Sequence, residues 1–290
     1  MLESSLEFLR CVRCGSKLEL DVLKLEKEIE EGILECKKCR LTFPIIEKIP
    51  ILWDDFSKYL SFHKVLSGKL YRFAKTTKLK HFLKSSLSKT IYINDDKTAL
   101  EERWSKIYQN SKNSKFYSMI KNSLDLLPKS KLALEYGCSV GIITSHVADS
   151  HEMVFGIDKS FSALQYAKKS FRNNLDYVVA DSLSSVFGKL QFDLILALNV
   201  LELIEPIDLL KHISKQISNG FFVISDPYDF DRGVNSVRKP LDESILRTKM
   251  ENFGFKISSK TKKPSYLSWN LKLNPRATLN YKVDLVIGKK

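Results

Sequence analysis

Four cysteines stand in two pairs, Cys11-Val-Arg-Cys14 and Cys36-Lys-Lys-Cys39, with 21 residues between the pairs. Two intervening residues let both thiols of a pair face one side of a tight turn. Two such turns can close a four-sulfur tetrahedron around zinc. That shell has no open position, so its chemistry is structural: it stabilises a fold and cannot activate a water. Two disulfides or a redox pair are the alternatives. The first residues, MLESSLEFLR, lack the basic region, apolar core and cleavage site of a secretion signal. A cytosolic compartment is therefore expected, and disulfides are disfavoured there. The βαβ pattern that accompanies a redox CxxC is absent around these cysteines.

A second constellation begins at Ala133-Leu-Glu-Tyr-Gly-Cys-Ser-Val-Gly141. A β-prone run carries an acid, Glu135. A loop holds Gly137 and Gly141, and a helix-like run follows. Such a loop can hold a nucleotide-like ligand, because Gly137 lets the backbone approach closely and Gly141 lets the helix start near the strand. The three-glycine dinucleotide fingerprint is absent, and so is the Gly-Lys-Ser/Thr of a P-loop. The next β-prone run ends in Asp158-Lys159, with Asp158 placed 17 residues after Gly141. A carboxylate there can accept from both ribose hydroxyls. The third run ends in Asp181-Ser182, where Asp181 could accept from an adenine amino group, and the fourth ends in Asn199. Each alone could cap a helix or close a turn; four polar groups at four successive strand ends form a pattern.

The elements that would position them alternate. From Lys131 onward, strand-like and helix-like runs follow one another, which predicts a largely parallel sheet with helices on both faces. In such sheets ligands bind beyond the carboxyl ends of the strands. Before this region, a helical stretch with an aromatic stripe is predicted from about Thr98 to Leu127 and ends at Pro128. Residues 57–90 hold nine Lys/Arg and no Asp/Glu, with Leu60, Phe62, Val65, Leu66, Leu70 and Phe73 at near-helical intervals. This basic amphipathic connector could contact RNA, but its apolar stripe packing on the protein is the favoured reading. Between the cysteine pairs, alternation at Leu18, Leu20 and Val22 and a later Gly32-Ile-Leu-Glu35 predict two strands. The division by composition is a zinc ribbon over 1–56, the connector over 57–97 and an α/β domain over 98–290.

The ordered series resembles the class I S-adenosylmethionine-dependent methyltransferase family. Its first motif, acid-x-Gly-x-x-x-Gly, is matched by Glu135, Gly137 and Gly141, with Ser139 where a middle glycine is usual. Asp158 and Asp181 match its acids after strands two and three, and ENFGFKI its Gly-Phe before strand six. The resemblance implies a seven-stranded, Rossmann-like, mostly parallel sheet with the last strand antiparallel. It implies S-adenosyl-L-methionine as cofactor, held by Glu135, Gly137, Cys138, Gly141, Asp158, Lys159, Asp181, Ser182 and Asn199. Residues 8–54 resemble the small zinc-binding activator protein that partners RNA- and protein-modifying methyltransferases. The matching features are the two cysteine pairs, Phe43-Pro44-Ile45 and Lys48-Ile49-Pro50. Val12 replaces that family's proline and Lys48 its glycine.

The sequence therefore points to a methyltransferase with an activator-like module in cis. A non-catalytic RNA- or protein-binding scaffold that kept the fold is the competing reading. Asn199 and Asp226-Pro227-Tyr228 are acceptor-side candidates, while Glu202 and Glu205 suit a helix start. No catalytic residue is nameable, since an activated methyl needs positioning more than a nucleophile. The acceptor is open among RNA, a translation-factor protein and a small molecule. Forty-seven Lys/Arg against 34 Asp/Glu give a net charge of +13, which permits a polyanionic partner. No apolar run approaches a membrane span, and a monomer is expected.

Overall fold

The alternating and Pro-punctuated N-terminal runs form four strands, β1 Glu19–Leu25, β2 Ile29–Cys36, β3 Leu41–Ile46 and β4 Ile49–Pro50. They pair antiparallel in that order. Three helices follow, α1 Phe56–Ser61, α2 Lys64–Phe73 and α3 Thr77–Leu87, then α4 Thr98–Asn110 and α5 Lys115–Leu124. The alternating half contributes β5 Leu132–Tyr136, α6 Ile142–Val147, β6 Met153–Asp158, α7 Phe161–Ala167, β7 Leu175–Val179, β8 Leu194–Leu198, α8 Pro206–Ser214 and β9 Phe221–Asp226. The chain closes with α9 Glu243–Asn252, β10 Lys256–Ile257, β11 Leu267–Asn274 and β12 Ala277–Lys289. This computed structural model describes residues 1–230 and 237–290.

The chain divides into two compact units. One comprises Met1–Lys106 with Asp158–Leu190, the other Ile107–Ile157 with Gln191–Lys290. Their boundaries differ from the division by composition, because the ribbon and connector bond to a distant segment of the chain, residues 158–190.

In the first unit, the ribbon core is apolar: Leu34, Phe43, Ile45, Ile46 and Ile49 are fully buried. The connector folds as the three helices α1–α3, with Leu66, Leu70, Leu79 and Leu83 buried. Its apolar stripe is thus a packing face, and most of its lysines lie outward. Main-chain pairing ties this region to β7: Ile51 bridges Val179 in parallel, and the Leu52 amide donates to the Val179 carbonyl at 2.8 Å. The Arg10 amide likewise donates to the Val186 carbonyl at 2.7 Å. Beneath them lies a buried ionic cluster. Lys168 Nζ is 2.7 Å from Asp176 Oδ1 and 2.5 Å from Glu28 Oε2, and all three side chains are at most 6% exposed. Asp176 Oδ2 also accepts from the Leu2 amide and the Ser5 hydroxyl, each at 2.8 Å.

In the second unit, strand order is β10-β12-β9-β8-β5-β6. The β6–β5, β5–β8 and β8–β9 pairs are parallel, and β12 runs antiparallel to β9 and β10. Six of the seven expected strands, β5, β6, β8, β9, β10 and β12, thus lie in this unit, and β7 lies in the first. Strand β8 is a continuous apolar run, as burial on both faces requires, and β5 departs from one only at Glu135 and its closing Tyr136. Two features differ from the sequence reading. The helix expected over 98–127 breaks into α4 and α5, because Ser111-Lys-Asn-Ser114 offers competing side-chain hydrogen bonds and helix-poor residues. Strand β11 forms a hairpin with β12 around Pro275-Arg276, and its strict apolar–polar alternation over Leu267–Asn274 is the signal of a strand with one face buried.

Burial opposes charge on Asp176, but Lys168 beside it holds its carboxyl below the usual carboxylate range. Burial likewise opposes charge on Lys168, but Asp176 and Glu28 hold its ammonium above the usual lysine range. A depressed carboxylate stabilises the fold above its unfolded pKa, about 3.9, and that contribution is lost as pH falls through the folded value. Asp176→Asn should destabilise the protein by about 3–5 kcal/mol in urea unfolding at neutral pH, since it leaves Lys168 under-compensated. It should also flatten the acid limb of the stability profile.

Candidate cofactor and metal sites

The sulfurs of Cys11, Cys14, Cys36 and Cys39 all lie within 4.8 Å of one another. Cys14 Sγ and Cys36 Sγ are 3.5 Å apart, close to the roughly 3.8 Å edge of a tetrahedron with 2.3 Å zinc–sulfur bonds. The thiols also disturb one another. The Ser16 hydroxyl pulls the Cys14 thiol down to about 6, whereas the neighbouring Cys14 sulfur pushes Cys39 up to about 12. Four thiolates cannot share this space without a cation to neutralise them, and a divalent tetrahedral ion fits the cage.

The loop between β5 and α6 is built from left-handed backbone: φ is 65° at Gly137, 48° at Ser139 and 72° at Gly141. Two of the three positions are glycine, which takes that conformation without strain. The Cys138 amide donates to the Ile157 carbonyl at 3.0 Å and the Gly141 amide to the Cys138 carbonyl at 2.9 Å. A Cβ on Gly137 would sit 2.5 Å from Val200 Cγ1. The β8 end therefore closes directly on this glycine. Glu135 is 4% exposed, and its carboxylate accepts from the Thr144 hydroxyl on α6. It braces the loop against its own helix. Asn199 sits at φ 55°, with its amide donating to the Ser225 carbonyl at 2.6 Å and its side-chain oxygen accepting from the Ser225 hydroxyl at 2.9 Å. The buried Asp226 accepts from the amides of Leu201 and Tyr228, and the Tyr228 hydroxyl donates to Asp284. These acceptor-side candidates thus also shape the loops after β8 and β9. Close to Glu135, Tyr117 of α5 joins an aromatic cluster of Tyr108, Phe116, Trp269 and Tyr281.

In the first unit the structure brings Asp158 and Asp181 to neighbouring chain ends. The Ala180 amide donates to the Asp158 carbonyl at 3.1 Å. Asp158 Oδ1 accepts from the Ser160 amide at 2.8 Å, and Asp181 Oδ1 from the Leu183 amide at 2.8 Å. Lys159 is exposed and Ser182 half-buried. Sequence reasoning missed Tyr59. This fully buried ring stacks on His63 at 4.3 Å, and its hydroxyl donates to the Lys159 carbonyl at 3.2 Å. The connector thereby braces the turn that bears Asp158. The aromatic residue opening the connector was its only signal.

Residues 134–224 match the family model described as a methyltransferase domain, and residues 4–47 match that of Trm112p-like proteins. No curated protein sequence matches the chain. Among solved structures, it is similar to the complex between the Haloferax volcanii Trm112 methyltransferase activator and a methyltransferase. That match has 12% identity, covers 66% of this chain and 96% of the other, and has a TM-score of 0.52. It is also similar to the N-methyltransferase NodS of Bradyrhizobium japonicum in complex with S-adenosyl-L-homocysteine. There the identity is 17%, the coverage 68% and 99%, and the TM-score 0.50. Both likenesses concern the fold. Among the described residues no helix is long and apolar enough to cross a membrane.

Gly137→Ala should lower stability by about 1–3 kcal/mol, because it combines left-handed strain with overpacking against Val200. Thermal unfolding checks it. Stripping the thiolate cage with a strong chelator should release zinc and abolish the cooperative unfolding of the ribbon, read by a colorimetric zinc assay alongside circular dichroism.

Proposed function

We propose that the chain transfers a methyl group from S-adenosylmethionine to a nucleophilic acceptor. The observation that carries this reading is the left-handed Gly137–Gly141 loop between a parallel strand and its helix, within a region that matches a methyltransferase domain. Gly137 and Gly141 let the chain take this left-handed turn at the carboxyl end of β5, and Val200 packs where a Gly137 side chain would stand. The amides of Cys138 and Gly141 are spent on the carbonyls of Ile157 and Cys138, which fixes the shape of the loop. Asp158 suits a ribose, since one carboxylate can accept from both hydroxyls. Asp181 and Ser182 suit the adenine amino group, and Asn199 the acceptor side. When bound, S-adenosylmethionine supplies a sulfonium-activated methyl, so the chain has to orient an acceptor lone pair in line at about 3 Å. It needs no nucleophile of its own.

The Trm112p-like region supports a cis-activator role in the same reading. Its sulfur cage is closed, so it contributes no reacting atom. Its ionic and main-chain bonds instead fix the segment 158–190, which carries Asp158 and Asp181.

Calorimetric titration with S-adenosylmethionine tests the proposal. Binding is expected, and Asp158→Ala should weaken it by about 1–3 kcal/mol, roughly 5- to 150-fold. Absence of binding by the wild-type chain at millimolar ligand would leave only the scaffold reading.

A further inference from the structure

The first unit holds a cavity of about 700 Å³ walled by the β3–β4 turn, α2, α4 and α7. Its lining is cationic. Lys48, Lys69, Arg72, Lys106, Lys168 and Lys169 face it, against the carboxylates of Glu47 and Glu102. Two of these cations are neutralised locally: Lys168 lies between Glu28 and Asp176, and Lys69 pairs with Glu102. Lys48, Arg72, Lys106 and Lys169 remain against Glu47, apart from a 3.7 Å approach of Lys48 to Glu28. Phe73 and Tyr166 add aromatic walls, and the Lys169 ammonium sits 4.3 Å from the Tyr166 ring centroid.

Lys48 stands with Glu47 in the two-residue turn between β3 and β4, where both residues are left-handed, with φ of 70° and 50°. The basic connector also sends Lys69 and Arg72 here, while Lys75 turns to Glu30 and Lys78 to Asp21. Its charge is therefore sorted, with one subset directed into a recess.

We infer that this recess binds the backbone of a single-stranded nucleic acid, with phosphates at Lys48, Arg72, Lys106 and Lys169 and an unpaired base against Phe73 or Tyr166. Cations beside half-buried rings that line a recess are the elements of sequence-tolerant single-strand binding. The α7 helix that lines it with Gln165 and Tyr166 starts just after Asp158, so a strand docked here would lie along the helix that follows the proposed ribose ligand. The docking rests on the methyl-transfer reading only for its purpose; the binding itself is independent of it.

Fluorescence anisotropy with a labelled single-stranded oligoribonucleotide, titrated across salt, tests the inference. The wild-type chain should bind, with an affinity that falls linearly on a log–log salt plot. Arg72→Glu, Lys106→Glu and Lys169→Glu combined should weaken binding on the order of a hundredfold at low salt and flatten the slope by roughly 0.7 per lost phosphate contact. Lys48→Gly should weaken binding several-fold without lowering the melting temperature, because it relieves the turn while removing the charge. Calorimetric binding of S-adenosylmethionine should be unchanged in both variants. A failed docking proposal and a failed methyltransferase reading are thus told apart. A deoxyribonucleotide of the same sequence, run in parallel, separates RNA from DNA as the source of the strand. Unchanged RNA affinity in the triple variant would overturn the inference. So would an equal loss on reversing Lys58, Lys84 and Lys89, exposed connector lysines that do not line the recess, or selective binding of a polyglutamate peptide in place of either oligonucleotide.

Discussion

One buried ammonium organises the first unit. Lys168 stands between Glu28 of the ribbon and Asp176 of β7, with little solvent on any of the three. An isolated charge could not persist at this depth, so each partner requires the others. The requirement binds residues 140 positions apart, from Glu28 to Lys168, into one unit. Separate bonds from the ribbon and connector converge on the same segment. The main-chain pairing of Ile51 with Val179, the Arg10–Val186 bond and the bracing of Lys159 by Tyr59 all fall on the segment that presents Asp158 and Asp181.

The two sulfur and carboxylate constellations thus divide the labour. The thiolate cage makes a small β-sheet rigid that has too few apolar residues to be stable alone. That rigid sheet then serves as a platform for acids that would otherwise sit at the ends of short strands. In the second unit the same fixing is done locally. Glu135 is spent on Thr144, Asp226 on the amides of Leu201 and Tyr228, and Gly137 leaves the room that Val200 fills. Several polar groups at strand ends therefore act as braces for loops.

Much of this was legible in the sequence because it depends on local spacing. Two CxxC pairs define a cage, and strand–loop–helix alternation defines a parallel sheet whose polar residues recur at strand ends. Features that depend on distant partners were not legible. Nothing local distinguishes Lys168 from a surface lysine, or Glu28 from the acidic run around it. The division into units follows from those pairs and not from composition. The break between α4 and α5 was foreseeable from Ser111-Lys-Asn-Ser114, but the aromatic periodicity on either side masked it. Strand β11 was foreseeable too, since Leu267, Trp269, Leu271 and Leu273 alternate with Ser268, Asn270, Lys272 and Asn274.

The bridge between Ile51 and Val179 has a consequence for how the chain comes to be. Its two residues are 128 positions apart. During synthesis the ribbon and connector emerge first, while the main-chain groups of Ile51 and Leu52 wait for β7 to be made. Closing so long a loop is a slow, late step. Until then the ribbon presents an unpaired strand edge to the crowded space around the ribosome, and metal capture is the one event that can order it in the interval.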